Sequence, residues 1–274
     1  MSELPVLLIG LSDPASAGKI TLAHLLSNVF SPHIVCILRG DDFCKEFNQI
    51  PIVNGYLDAD GPHGVDFKKI GPILDYLKAN HGWTPIGFRS WQAEVFPGQH
   101  SRALELVSED VLQELRKKVN ECGVLQRKES PAKMAIVEVF MLYNVPRIRE
   151  RLECRLFVRL SHKQAKHRRM TRPNYGAEAE EGESWKTEEY FEKMVWRNYV
   201  EQHKDSFVGG DVEEKVSETR CIELGIVMQD GMDVGVGCGC YFGSIDGEGL
   251  EAEIDRLNHD ALSYKINAII MDLL

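Results

Sequence analysis

One junction near the N-terminus constrains the fold more than any other stretch. The apolar run Val6-Leu7-Leu8-Ile9 passes through Gly10 into Asp13-Pro14-Ala15-Ser16-Ala17-Gly18-Lys19-Ile20-Thr21, and Leu22, Leu25, Leu26 and Val29 follow at helical spacing. A strand, a small-residue loop closing on Gly-Lys, and a helix make the layout of a phosphate-binding loop. At such a turn the backbone of Ser16, Ala17, Gly18, Lys19, Ile20 and Thr21 cradles phosphate oxygens, and the Lys19 ammonium reaches the β- and γ-phosphates. Two positions depart from the pattern G-x-x-x-x-G-K-[ST]: Asp13 stands where Gly belongs, and Ile20 where a hydroxyl belongs. A carboxylate at 13 adds a Cβ and a negative charge close to phosphates. Ile20 offers Mg2+ no oxygen. Thr21 is next door, but one step along a helix turns a side chain by about 100°, so Thr21 serves as a metal ligand only if the loop shifts.

The formal net charge of -10 argues against a broad nucleic-acid surface and is compatible with a cationic small substrate. Hydrophobic residues at 43% and charged residues at 27% fit an ordinary globular chain. No apolar run reaches the roughly 18–20 residues of a membrane span. The stretch 4–9 is too short, and lacks the basic leader, for a signal peptide. Cysteines at 36, 44, 122, 154, 221, 238 and 240 are odd in number and scattered, which suits reduced thiols in the cytoplasm or nucleus. Cys238-Gly239-Cys240 is too tight for a usual zinc site.

Periodicity sets out the order of elements. Strands are expected at 4–9, 33–38, 135–142 and 154–160, and helices at 20–30, 66–79, 103–121, 162–172 and 185–204. Asn54-Gly55 and Gly61-Pro62 mark a loop, and 80–102 has no clear period. Alternating strands and helices imply an α/β fold: a parallel sheet of the P-loop NTPase type flanked by helices, with a basic helical lid at about 162–190. The P-loop domain is expected over 1–215. Residues 216–274 form a divergent segment in which a Gly-rich stretch at 229–249, read as a linker, precedes a helix.

Phosphoryl transfer needs a cradle, a Mg2+ held by oxygens, a base or positioner for the attacking hydroxyl, and cations for developing charge. Asp41-Asp42 closes the second strand, where ligands of open α/β sheets bind, although an isolated Asp-Asp is more often a turn or cap. Glu138 interrupts an apolar strand, and a buried carboxylate is costly unless paired or near a metal. Lys163, Lys166, His167, Arg168, Arg169 and Arg172 form a basic run with Arg168 and Arg172 on one face, which reads as a lid or as a solvated basic face. Phe43, Tyr56 and Tyr175 offer rings for stacking, although single aromatics are more often packing.

In order and spacing these residues resemble the nicotinamide riboside kinase family, among the uridine kinase-like P-loop kinases, over roughly 4–213. The matching segments are Gly10 to Thr21, Asp41-Asp42-Phe43, Ile50-Pro51, Asn54-Gly55-Tyr56-Leu57-Asp58-Ala59-Asp60, Val65-Asp66-Phe67, Val137-Glu138-Val139-Phe140 and His167-Arg168-Arg169-Met170-Thr171-Arg172. Gly210-Asp211-Val212 is similar to fungal members. The resemblance implies transfer of phosphate from ATP or GTP, with Mg2+, to the ribose 5′-hydroxyl of nicotinamide riboside. It makes Asp41 the base or positioner for the 5′-hydroxyl, Asp60 the ribose ligand, and Tyr56 and Tyr175 the flanks of the nicotinamide ring. It sets Glu138 near the metal and closes Arg168 and Arg172 on phosphates. Val139 replaces a family Gly and is expected to crowd the site. The alternatives are a kinase of another nucleoside such as uridine, and a nucleotide-binding pseudokinase in which Asp13 and Ile20 have removed activity. On this reading Asp13→Gly with Ile20→Thr raises turnover.

Overall fold

The computed structural model describes residues 6–88, 107–121, 133–171, 185, 187–224 and 227–230. Its centre is β1 (Leu7–Ser12), every residue of which is buried. A gapless apolar run of that length makes a strand covered on both faces. β1 pairs in parallel with β5 (Met134–Glu138) on one side and with β6 (Cys154–Arg159) on the other. β2 (Ile34–Arg39) lies outside β5, and β7 (Val227–Asp230) outside β6, so the sheet order is β2-β5-β1-β6-β7. The pleat sorts the core into two layers. Leu7, Ile9, Leu11, Met134 and Ile136 meet α1 (Lys19–Val29) and α3 (Glu109–Glu121). Leu8, Ala135 and Val137 meet α2 (Phe67–Ala79) through Ile70, Leu74 and Leu77. A small hairpin, β3 (Ile52–Val53) with β4 (Tyr56–Leu57), stands outside this sheet.

The expected parallel α/β sheet is present. Three details differ from the sequence reading. β1 runs on to Ser12 and so carries the chain further toward the loop. The strand expected over 135–142 stops at Glu138, because Met141 takes a left-handed conformation (φ 56°) and the chain turns into a 3-10 turn at Leu142–Asn144. Glu138 is therefore the last residue of its strand rather than an interruption within one. Beyond 215 the chain forms α8 (Glu218–Leu224) and then β7, which pairs with β6 in parallel register. The weak sequence signal there reflects an edge strand of only four residues.

Helices after β6 close the cleft side. The short α4 (Pro146–Arg149) precedes β6, and the basic α5 (His162–Thr171) follows it. The expected helix at 185–204 is α6 (Glu188–Tyr190), a π-helical stretch (Phe191–Trp196) and α7 (Arg197–His203) in succession. Thr187 caps its start by accepting from the Tyr190 N–H. Calls on the Gly-rich stretch after 230, the final helix, and Cys122, Cys238 and Cys240 fall outside the described residues.

Candidate active site

The carboxyl ends of β1, β5 and β2 converge, and each delivers one reactive group. From β1 comes the loop. Asp13 (φ 41°), Ser16 (φ 67°) and Gly18 (φ 91°) are all left-handed. Such turns leave backbone N–H groups pointing into a concavity that suits anions. Gly18 caps α1 with no side-chain hydrogen bond, so the first N–H groups of an eleven-residue helix lack a side-chain acceptor there. The Ser16 Oγ is buried and has no hydrogen-bond partner among the described residues. A buried hydroxyl beside the uncapped start of a helix fits a polyphosphate well.

Lys19 lies at the start of α1 and is itself buried. Its Nζ donates to the Pro14 carbonyl at 2.9 Å and lies 3.5 Å from Glu138 Oε1. An ammonium carries three donors, so these two contacts leave one for a phosphate oxygen. Burial pushes the Glu138 carboxyl up to about 7; Asp41 adds to the rise while Lys19 and Arg39 oppose it. A carboxylate kept in this poised state gains strongly from any further cation.

From β2 come the neighbouring aspartates, and the structure separates them. Asp42 Oδ2 accepts from the Arg39 N–H at 2.9 Å and caps the turn Gly40–Phe43. Asp41 is exposed, and its charge acts on Glu138 from across the cleft. The cap reading thus belongs to Asp42, which leaves Asp41 as the solvent-exposed member of the pair. The Cys44 thiol, raised to about 12 by desolvation, also responds to Asp41, Asp60 and Asp42, which sets Asp60 in the same acidic neighbourhood.

Asp60 follows the hairpin and meets the basic helix α5. Arg169 Nη2 and Nη1 contact its two oxygens at 2.8 and 3.2 Å, a bidentate pair. The same guanidinium donates to the Trp185 carbonyl, lies 5.6 Å from the Tyr190 ring centroid, and is only 1% exposed. One residue earlier, Arg168 Nη1 donates to the Ala17 carbonyl at 3.2 Å and so touches the phosphate loop. Adjacent helix positions face about 100° apart, which lets one arginine serve the loop and its neighbour serve Asp60. Lys166 and His162 pin α5 to Glu188 and Glu192 instead of facing the cleft.

Two sequence expectations are corrected. Phe43 is 1% exposed and packs in the core beside Phe88, with ring centroids 6.2 Å apart, so it has no face to offer a ligand. Val139 does not crowd the site: it is buried in the core layer under α2. The remaining expectations meet the structure unevenly. Tyr56 lies edge-on to Tyr190 at 5.6 Å with the Lys193 ammonium 5.8 Å from its centroid, contacts that account for it by packing. Ile20 and Thr21 are both half-buried in the first turn of α1. Arg172 and Tyr175 lie outside the described residues.

Sequence reasoning missed how Asp13 is housed. Its carboxylate is 2% exposed, and its Oδ2 accepts from the Met141 N–H at 2.7 Å and the Ser12 hydroxyl at 2.5 Å. His203 Nε2 approaches the same oxygen at 3.1 Å, as an ion-pair contact and not an aligned hydrogen bond. Burial alone would raise the Asp13 pKa, but His203, Lys19 and the Ser12 hydrogen bond outweigh it and hold the group below the ordinary aspartate value. The backbone conformation there is one that Asp tolerates better than most L-residues. Also missed was Asp58, buried and bonded to Asn198 Nδ2 at 2.8 Å and His63 Nδ1 at 2.6 Å, which braces the loop before Asp60. No local pattern announces contacts made across such sequence distances.

Among the described residues, no three His, Cys, Asp or Glu side chains group as a metal site. Mg2+ is ordinarily held by one or two carboxylates plus substrate phosphates and water, and Glu138 beside the phosphate loop fits that requirement. Nor is any helix among those residues long and apolar enough to cross a membrane.

No protein-family model matches the chain. Three curated fungal proteins do, each named nicotinamide riboside kinase. The Saccharomyces cerevisiae protein is 28% identical over 218 residues, covering 78% of this chain and 84% of its own length. The Eremothecium gossypii protein is 27% identical over 214 residues, 77% of this chain and 81% of its own. The Schizosaccharomyces pombe protein is 27% identical over 214 residues, 78% of this chain and 86% of its own.

Proposed function

We infer that this chain, a member of the nicotinamide riboside kinase family, phosphorylates the ribose 5′-hydroxyl of nicotinamide riboside at the expense of a nucleoside triphosphate, ATP or GTP. The observation that carries this reading is the convergence of Lys19, Glu138 and Asp41 at the carboxyl ends of adjacent parallel strands. The product would be nicotinamide mononucleotide.

Each residue then has a definite task. Asp41 accepts the proton of the 5′-hydroxyl as that oxygen bonds to the γ-phosphorus and the bond to the β,γ-bridging oxygen breaks, releasing the nucleoside diphosphate. Lys19 and Arg168 meet the negative charge of the transferring phosphoryl group. The amides of Gly18 and Lys19 and the Ser16 hydroxyl hold the β-phosphate. Glu138 and Thr21 are the residues that would hold Mg2+, which would supply positive charge against the phosphates. Asp60, oriented by Arg169, presents its remaining lone pairs to ribose hydroxyls. Nicotinamide riboside carries a pyridinium charge. The acidic neighbourhood of Asp41, Asp42 and Asp60 suits that cation better than a neutral nucleoside, with aromatic rings such as Tyr56 and Tyr175 as its flanks.

The test is direct. Purified protein is incubated with nicotinamide riboside, ATP and Mg2+, and nicotinamide mononucleotide is followed by mass, with uridine as competitor. Product formation that uridine barely inhibits supports the reading. Phosphorylation of uridine in preference would move the assignment to another nucleoside. A folded sample that binds ATP but makes neither product would identify a nucleotide-binding protein without transfer.

A further inference from the structure

Asp13 stands where the phosphate-loop pattern carries Gly, one residue before the carbonyl to which Lys19 is bonded. A buried carboxylate so close to a buried ammonium is a rival for it. Asp13 nonetheless makes no hydrogen bond or ion pair with Lys19 among the contacts described: three partners converge on its Oδ2, two of them donors, the Met141 N–H and the Ser12 hydroxyl, and the third His203 Nε2 in an ion-pair contact. The Lys19 ammonium turns instead to Pro14 and Glu138. Two of the Asp13 partners come from its own surroundings at the ends of β1 and β5. The third comes from the last residue of α7, which is far away in sequence and 3% exposed. The His203 ring is fixed there by Phe157 on β6 (centroids 5.0 Å apart) and by Tyr199 one turn earlier (5.2 Å). Its position is thus set by packing independent of the loop.

We propose that His203 is a positioning residue for the phosphate loop: by retaining the Asp13 carboxylate beneath the loop, it keeps that carboxylate from capturing Lys19 and so leaves Lys19 available to nucleotide phosphates. The proposal rests on the kinase reading above. It makes His203 necessary only because Asp13 is present. Without the imidazole, the buried Asp13 charge loses a partner, and Lys19, whose charge already acts on Asp13, is a cation able to replace it. Without Asp13 there is nothing to restrain.

That dependence gives a test that a merely structural histidine fails. Binding of MgATP and of inorganic tripolyphosphate is measured by calorimetry for the wild type, His203→Ala, Asp13→Gly and the double variant, with near-UV circular dichroism to verify folding. Glycine at 13 preserves the left-handed backbone. His203→Ala is expected to weaken both ligands about tenfold or more, and the double variant to return within about threefold of wild type, a coupling typical of directly interacting sites. A double variant as weak as His203→Ala, or a His203→Ala protein that binds like wild type, overturns the proposal. If His203→Ala does not fold, the double variant decides alone: folded with near wild-type affinity it upholds the proposal, and unfolded or weak it overturns it. A wild type that binds neither ligand removes the kinase reading itself, and this inference with it, which is a distinct outcome.

Discussion

The floor of the phosphate loop and the mouth of the cleft each hold one carboxylate away from water, and they hold it in opposite ways. On the floor, Asp13 is surrounded by donors, and its proton affinity falls below the ordinary value despite burial. At the mouth, Glu138 has Lys19 on one side and the repulsion of Asp41 on the other, and burial wins, lifting it to about 7. The difference teaches what each is for. A carboxylate satisfied by the protein stabilises the fold and is finished with its partners. A carboxylate left under-compensated is costly in the empty protein and is repaid when a cation arrives.

Removing the exposed Asp41 carboxylate should therefore act on turnover, and neutralising the buried Asp13 carboxylate on stability. The largest expected effect is at Asp41, opposite Glu138. Asp41→Ala should lower kcat for nicotinamide riboside by roughly 10²–10⁴-fold, the usual worth of a positioned base. Asp42→Ala should instead cost about 1 kcal/mol of stability through the lost cap, read by urea unfolding. Equal losses of turnover at the two positions would erase the distinction drawn between them.

Next is the floor. Asp13→Asn should destabilise the protein at pH 7 by about 3 kcal/mol, since it strips the charge from a buried pair. Because the native pKa is depressed, this stability is present above the unfolded value and is lost as pH falls through the native one. The deficit of the variant should accordingly shrink in acid, and an undiminished deficit there would mean that charge is not its source.

Glu138→Gln should do the reverse. With the native pKa raised from 4.5 to about 7, the relative stability present below the ordinary glutamate value is lost as pH rises through about 7. The variant should thus be the more stable protein above pH 7.5 in the absence of Mg2+, by at most roughly 3 kcal/mol, while losing turnover. Unfolding curves at pH 5 and 8.5 check the sign. The smallest effect is expected at Ile20. Ile20→Thr restores an oxygen beside the phosphates and should raise turnover by about tenfold or less. Adding Asp13→Gly to it should bring no further gain, because Asp13 is already sequestered; a further gain would show that its charge does reach the phosphates.

Much of this architecture was legible along the chain. Strand, loop and helix at 6–29, the α2 periodicity with its Asp66 cap, and the basic α5 all depend on neighbours a few residues apart, and such patterns survive in one dimension. Lys19, Asp41 and Glu138 were legible as well, since each is a charged residue at or near the end of an apolar run. β7 and the housing of Phe43 and Val139 were not. An edge strand of four residues has almost no period, and Phe43 and Val139 turn into a core layer whose other members come from α2 and β5.

The sequence by itself determined that the chain places a strand–loop–helix junction closing on Gly-Lys, two acidic strand ends and a basic helix in that order. Only the tertiary structure decided what the anomalous Asp13 does. Its partners Met141 and His203 lie some 130 and 190 positions away. Whether a carboxylate is a hazard or a fixture depends on which donors reach it, and donors are brought together by packing rather than by sequence proximity.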